Sequence, residues 1–144
     1  IYRPLNNFFI NPLMEYLRKK YICKNQIKKG KKGVRKIIDL INEGFSIALM
    51  IDQRVSEGEM VNFFNVPART TTLPSQLAIK FNLHIVPVFI ERDNKNSFII
   101  KFKKPIDPSD FKDKISLTKK LNEMLEDMII ENPNHWIWTH NRWK

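Results

Sequence analysis

The chain of 144 residues is long enough for one sizeable hydrophobic core, and with 42% hydrophobic and 11% aromatic residues it is not a disordered polymer. No run of about 18 uninterrupted apolar residues occurs, so the sequence holds no membrane-spanning helix, and a single cysteine, Cys23, rules out an internal disulfide or a cysteine-rich metal site. Twenty-five Lys and Arg against 15 Asp and Glu give a net charge of +10, which attracts phosphate: a nucleic acid, an anionic membrane surface or a phosphorylated substrate.

The opening IYRPLNN reads as a strand end and loop, because Pro4 biases Arg3 toward extended backbone. No signal peptide is visible, but the first residue is Ile1 rather than Met, so the chain is expected to be a piece of a longer protein with an upstream signal or anchor left open. Asn11-Pro12 starts a helix, with Leu13, Met14, Leu17 and Tyr21 at helical spacing. Cys23, beside Tyr21 and Ile22, reads as a small half-buried residue. Residues 18–36 hold ten Lys or Arg and no acid, which suits either an anion-binding surface or a solvated face. Val34, Ile37, Ile38 and Ile41 then share one stripe of a second helix, which Gly44 ends.

The apolar run FSIALMI (45–51) predicts a buried parallel strand. MVNFF (60–64) predicts a shorter strand, and Thr72 a cap for a helix over 73–81 with Pro74 in its first turn. HIVPVFIER (84–92) and SFIIKFKKP (97–105) predict an antiparallel hairpin, with Pro87 marking a bulge or strand end. Leu117, Leu121, Leu125, Met128 and Ile129 predict a long amphipathic helix that Asn132-Pro133 stops. This order of helices and strands, without repeats or linker, predicts a single α/β domain over 1–144 with a mixed, mainly parallel sheet flanked by helices.

Ligands of such sheets bind beyond the carboxyl ends of the strands. Asp52, Gln53 and Arg54 stand at one such end, Arg92 at another, and Arg3 at a third. Thr70, Thr71 and Thr72 add hydroxyls and free N–H groups at a helix start, a setting that favours anions. These residues suit a pocket for a phosphorylated ligand; taken singly, each also reads as a cap or a surface ion pair. No G-x-S-x-G elbow, P-loop, dinucleotide fingerprint or H-E-x-x-H motif occurs, and His84, His135 and His140 are poorly spaced for a metal. Trp136, Trp138 and Trp143 with Arg142 and Lys144 suit either a membrane-interface anchor or packing against the sheet.

Four blocks, YRPLNN, IDQRVSEGEMVNFFNVPARTTTLPSQLA, IVPVFIER and NPNHWIWTHNRWK, resemble in order and spacing those of the bacterial lipid A biosynthesis acyltransferases. These are the lauroyl and myristoyl transferases of the glycerolipid acyltransferase superfamily. The resemblance implies an α/β sandwich that moves a fatty acyl chain from acyl carrier protein to a hydroxyl of a phosphorylated, Kdo-modified lipid, at the cytoplasmic face of the inner membrane. It also implies site roles for Arg3, Asp52, Gln53, Thr70, Thr71 and Arg92, to which Arg54 is added by position. No metal is expected, because the histidines are poorly spaced, no nucleic-acid partner, because no RNP, KH or helix-turn-helix pattern occurs, and no cofactor. The family's His and acid, in an H-x4-D/E motif, do not occur here: His84 is followed five residues later by Phe89, and His135 by His140. The chain is therefore expected to be the C-terminal part of such an enzyme, incomplete at its N-terminus, inactive alone, and left with an uncovered sheet edge that makes it marginally stable. The alternative is a non-catalytic basic protein that binds anionic membrane or nucleic acid.

Overall fold

In the computed structural model, Asn11–Tyr21 forms helix α1, with Pro12 in the first turn where its missing N–H is not needed. Residues 1–2, 4–93 and 97–143 are described, apart from the side chain of Lys31. They fall into two compact units, Ile1–Met50 and Ile51–Lys144.

In the first unit, α1 is followed by α2, Lys31–Asn42. Gly44, at φ 84°, takes the left-handed position just past the end of α2, as a terminating glycine should. Ile27, Ile37 and Leu40 are buried. Tyr2 and Lys28 form an isolated parallel bridge, in which the Tyr2 N–H donates to the Ile27 carbonyl and the Lys29 N–H to that of Tyr2, both at 2.9 Å. Glu15 locks this corner. It pairs with Lys28 Nζ at 2.7 Å and accepts from Asn11 Nδ2 at 2.8 Å. Lys28 first, then Asn11, hold its carboxyl down to about 2 from an ordinary 4.5. A depressed carboxyl stabilises the fold above its unfolded value and ceases to as pH falls through the folded one. Between pH 4.5 and about 2, the Tyr2 and Lys29 amides should therefore lose hydrogen-exchange protection, whereas Glu15→Gln should show weak protection at every pH. Protection that holds to pH 2 would remove Glu15 from this role.

Cys23 is exposed, not half-buried, because α1 ends at Tyr21 and the chain leaves the helix there. The run 45–51 is not a buried strand. It forms no ladder among the described residues, and Phe45 and Met50 are 50% and 74% exposed. A parallel strand needs neighbours for its N–H and C=O groups and a covering layer on each face. Among the described residues no strand pairs with the run: the Ile1 amino group donates to the Ala48 carbonyl at 3.2 Å and the Phe45 N–H to the Leu40 carbonyl at 2.9 Å, contacts that build no ladder.

The second unit contains β1 (Glu59–Phe63), β2 (Val66–Thr70), α3 (Leu73–Phe81), β3 (Val88–Arg92), β4 (Phe98–Phe102) and α4 (Lys114–Glu131). The expected mainly parallel sheet is replaced by two antiparallel two-stranded sheets, β1 with β2 and β3 with β4. The hairpin expected from 84–92 and 97–105 forms with shorter strands, Val88–Arg92 and Phe98–Phe102, and with Pro87 just before β3, but β2 was not anticipated. Phe64 and Asn65 join β1 to β2 with φ of 51° and 60°, a two-residue turn with both φ positive. A left-handed phenylalanine is uncommon. Here its N–H donates to Glu126 Oε1 at 2.9 Å and its ring meets Phe63 at 4.9 Å, so α4 and the core hold the turn.

Phe63, Ala68 and Ile129 centre the core, with Leu125, Trp136 and Trp143 packed around them. Asp113 caps α4, accepting from the Ser116 N–H at 2.7 Å, and Asn132 ends it as expected. Thr72 stands at the start of α3 but does not cap it with its side chain; Thr71 Oγ1 instead accepts the Leu73 N–H at 3.4 Å. Gly58 lies so close to the Thr70 carbonyl that a Cβ there would collide with it. Gly58→Ala should cost about 1–3 kcal/mol, read as a lower urea midpoint of tryptophan fluorescence. An unchanged midpoint would show that the β1–β2 edge moves aside freely.

Candidate functional site

Within the second unit, Asp52, Gln53 and Arg54 follow the apolar run and meet the C-terminal tail. The Arg54 N–H donates to His140 Nε2 at 3.0 Å. Asp52 is half-buried, and its Oδ1 is enclosed without a hydrogen-bond partner.

Arg142 occupies the middle of this region with no exposed surface. Its Nη1 donates to the Arg69 carbonyl at 2.7 Å and its Nη2 to Thr70 Oγ1 at 2.9 Å. Its cationic carbon lies 5.3 Å from the centre of the Phe63 ring, within cation–π range. Its Nε, like Asp52 Oδ1, has no partner. Burial lowers the pKa of the guanidinium, and the charge of Asp52 acts against that. An arginine stays cationic under such a pull. The region therefore holds a desolvated cation and a half-buried carboxylate, each with a polar atom unused.

Thr70 is saturated. It is 2% exposed, donates to the Ala68 carbonyl at 3.0 Å, and accepts from Arg142 and, at 3.4 Å, from Asn122 Nδ2. Asn122 also donates to the Asn62 carbonyl at 2.9 Å, tying α4 to β1. Beside this network, Ser75 and Thr118 share a buried hydroxyl contact of 2.7 Å. Thr71 is half-buried, and the side chains of Gln53 and Arg54 are exposed. Arg92 is exposed on β3, its guanidinium 6.0 Å from the Phe98 ring centre. Its neighbour Glu91 pairs with Lys101 at 2.8 Å, which with Asn132 lowers its carboxyl pKa. Arg3 lies outside the described residues.

The structure thus brings Asp52, the Arg54 backbone and Thr70 together around His140 and Arg142, and sets Arg92 on the hairpin. Asn122 was not singled out from the sequence, and Arg142 was read there with the tail tryptophans as a membrane-interface anchor or as packing against the sheet, not as a buried part of this region. The tail divides: Trp136 and Trp143 pack on Phe63 at 6.1 and 5.6 Å, and Trp143 Nε1 donates to the Phe63 carbonyl at 2.9 Å. Trp138 is 57% exposed. Among the described residues, no group of three or more His, Cys, Asp or Glu is placed to hold a metal, and no helix is long and apolar enough to cross a membrane.

Compared with known families, residues 1–144 match the bacterial lipid A biosynthesis acyltransferases. The chain is also 25% identical over 150 residues to a lipid A biosynthesis acyltransferase of Haemophilus influenzae. That alignment takes in all of this chain and 47% of the Haemophilus protein, so the chain spans about half the length of this relative.

Proposed function

Because the chain belongs to the bacterial lipid A biosynthesis acyltransferase family, we propose that it is the acceptor-holding part of an O-acyltransferase. The complete enzyme would move a fatty acyl chain from acyl carrier protein to a hydroxyl of a phosphorylated, Kdo-modified lipid A precursor. A histidine base, oriented by an acid, takes the proton of the attacking hydroxyl; that pair comes from polypeptide outside these 144 residues. No cofactor, metal or nucleic acid takes part. The protein works as a peripheral component at the cytoplasmic face of the inner membrane.

The family match across the whole chain carries this reading, and the charged region around Arg142 supports it. Arg3, Arg54 and Arg92 contact phosphate, for which the guanidinium fork is well shaped. Asp52 and Gln53 accept from and donate to the sugar or acyl hydroxyls. Thr71 and the start of α3 add donors. Thr70 is a positioning residue, since its hydroxyl is already committed to Arg142, Asn122 and Ala68.

In the enzyme made from the complete reading frame, Arg3→Ala should lower kcat/KM at least about tenfold, or ~1.4 kcal/mol of transition-state binding. Arg54→Ala should act in the same direction, mainly through KM, because an exposed arginine binds substrate and transition state alike. Unchanged kcat/KM in both variants would remove the arginines from the site.

A further inference from the structure

Helix α1 buries none of its residues completely, and its exposed side carries large apolar groups. Phe8 and Phe9, in the turn before it, are 85% and 89% exposed, with their rings edge to face at 6.0 Å. Leu13, Tyr16 and Tyr21 continue the exposure down the helix, and Ile22 just beyond it. Positions 9, 13, 16 and 20 follow helical spacing, so the phenylalanine end leads along one stripe to Lys20. Lys20 Nζ lies 5.6 Å from the ring centre of Tyr16 and 5.2 Å from that of Tyr21, a cation seated on two aromatic faces. Lys19, Lys24 and Lys29 are exposed nearby in sequence. Glu15, the sole acid before Asp39, is already neutralised by Lys28 at 2.7 Å.

We propose that this face of the first unit docks on an anionic phospholipid bilayer, with Phe8, Phe9 and Leu13 entering the headgroup boundary and Lys19, Lys20 and Lys24 against lipid phosphate. An amphipathic helix that joins exposed aromatics to lysines, with no free acid among them, complements such a surface in both apolarity and charge. A protein partner fits less well, because interface cores are depleted in lysine. A single-stranded nucleic acid also fits less well, because the two phenylalanine rings meet edge to face rather than offering parallel stacking platforms. The proposal rests on the acyltransferase reading for its setting, but its test contains no glycolipid acceptor, so either can fail without the other.

The test is co-sedimentation of the 144-residue chain with vesicles of phosphatidylethanolamine and phosphatidylglycerol, against vesicles of phosphatidylcholine alone. Binding to the anionic vesicles should be at least about tenfold tighter, and should weaken as salt rises. Phe8→Ser with Phe9→Ser, and separately Lys19→Glu with Lys20→Glu, should each reduce it at least about tenfold. Phe98→Ser with Phe102→Ser, on the exposed face of the β3–β4 hairpin, should leave it unchanged. Circular dichroism of each variant checks that the helices persist. Any of the following would overturn the proposal: equal binding to both vesicles, undiminished binding by the folded Phe8/Phe9 variant, or loss caused instead by Ile137→Ser with Trp138→Ser in the tail. Preference for duplex DNA over anionic vesicles at matched charge would overturn it in favour of a nucleic-acid surface.

Discussion

Arg142→Ala is expected to destabilise the Ile51–Lys144 unit by about 3–5 kcal/mol, the range found when one member of a buried charged network is removed. The size follows from what the guanidinium leaves behind. The Arg69 carbonyl and Thr70 Oγ1 lose their donors at 2.7 and 2.9 Å, Phe63 loses the cation over its ring, and Asp52 loses the charge that offsets its partial burial. The loss is readable without ambiguity, because all three tryptophans lie at 136–143 and fluorescence follows this unit alone. Thr70→Val should cost less, about 1–3 kcal/mol, since it removes one acceptor and leaves Arg142 bound to the Arg69 carbonyl. Arg142→Met with Asp52→Asn should cost less than the two single changes summed, because the second change removes a charge that the first has orphaned. A loss below ~1 kcal/mol for Arg142→Ala would show that water or neighbouring groups replace it at little cost.

The second large effect is catalytic. On the proposal that the catalytic pair lies in polypeptide outside these 144 residues, the chain alone should show acyl transfer at least about 10³-fold below that of a longer protein that includes the pair, the scale of a general base. The only histidine–carboxylate contact among the described residues does not alter this expectation. His84 Nε2 lies 3.5 Å from Asp107 Oδ2, and both side chains are substantially exposed. Asp107 is also engaged elsewhere: its Oδ1 accepts from the Ser109 N–H at 2.9 Å and from its hydroxyl at 2.7 Å, and these bonds, before His84, lower its carboxyl pKa. An exposed histidine with a long contact to a turn-capping acid lacks the sheltered geometry a base requires. His84→Ala in the complete enzyme should therefore leave kcat within about twofold. Robust turnover by the 144-residue chain, abolished by His84→Ala, would relocate the catalytic pair to this chain.

What the sequence made legible is local. Asn11-Pro12, Gly44 and Asn132-Pro133 mark helix ends by backbone chemistry acting within a few residues, and the helices end there or next to it. The β3–β4 hairpin follows from alternation on either side of a polar turn. Strand β2 was hidden because Pro67 and two polar residues make VPART read as loop, and its pairing depends on a turn at Phe64-Asn65 that α4 stabilises from 62 residues away. The run 45–51 shows the opposite failure. Apolar continuity reports that a segment suits burial; it does not supply the neighbouring strand, and among the described residues none pairs with it.

The site was half legible for a similar reason. Asp52, Arg54 and Thr70 stand out as polar groups at the edge of apolar segments, and the structure does bring the Asp52–Arg54 stretch to the Arg142 region that Thr70 helps to build. Arg142 was masked by its surroundings. In a tail with three tryptophans and Lys144 it reads as part of an interfacial anchor, and its hydroxyl partner is 72 residues distant. Burial of an arginine is a tertiary property that composition does not encode.

The most direct measurement is the affinity of the 144-residue chain for a phosphorylated Kdo-lipid A precursor in phosphatidylcholine nanodiscs, set beside the same lipid stripped of its phosphates. An acceptor-holding site requires at least about tenfold tighter binding to the phosphorylated lipid, a difference of ~1.4 kcal/mol that Arg54→Ala reduces. Equal affinity for the two lipids, unmoved by that substitution, would contradict it.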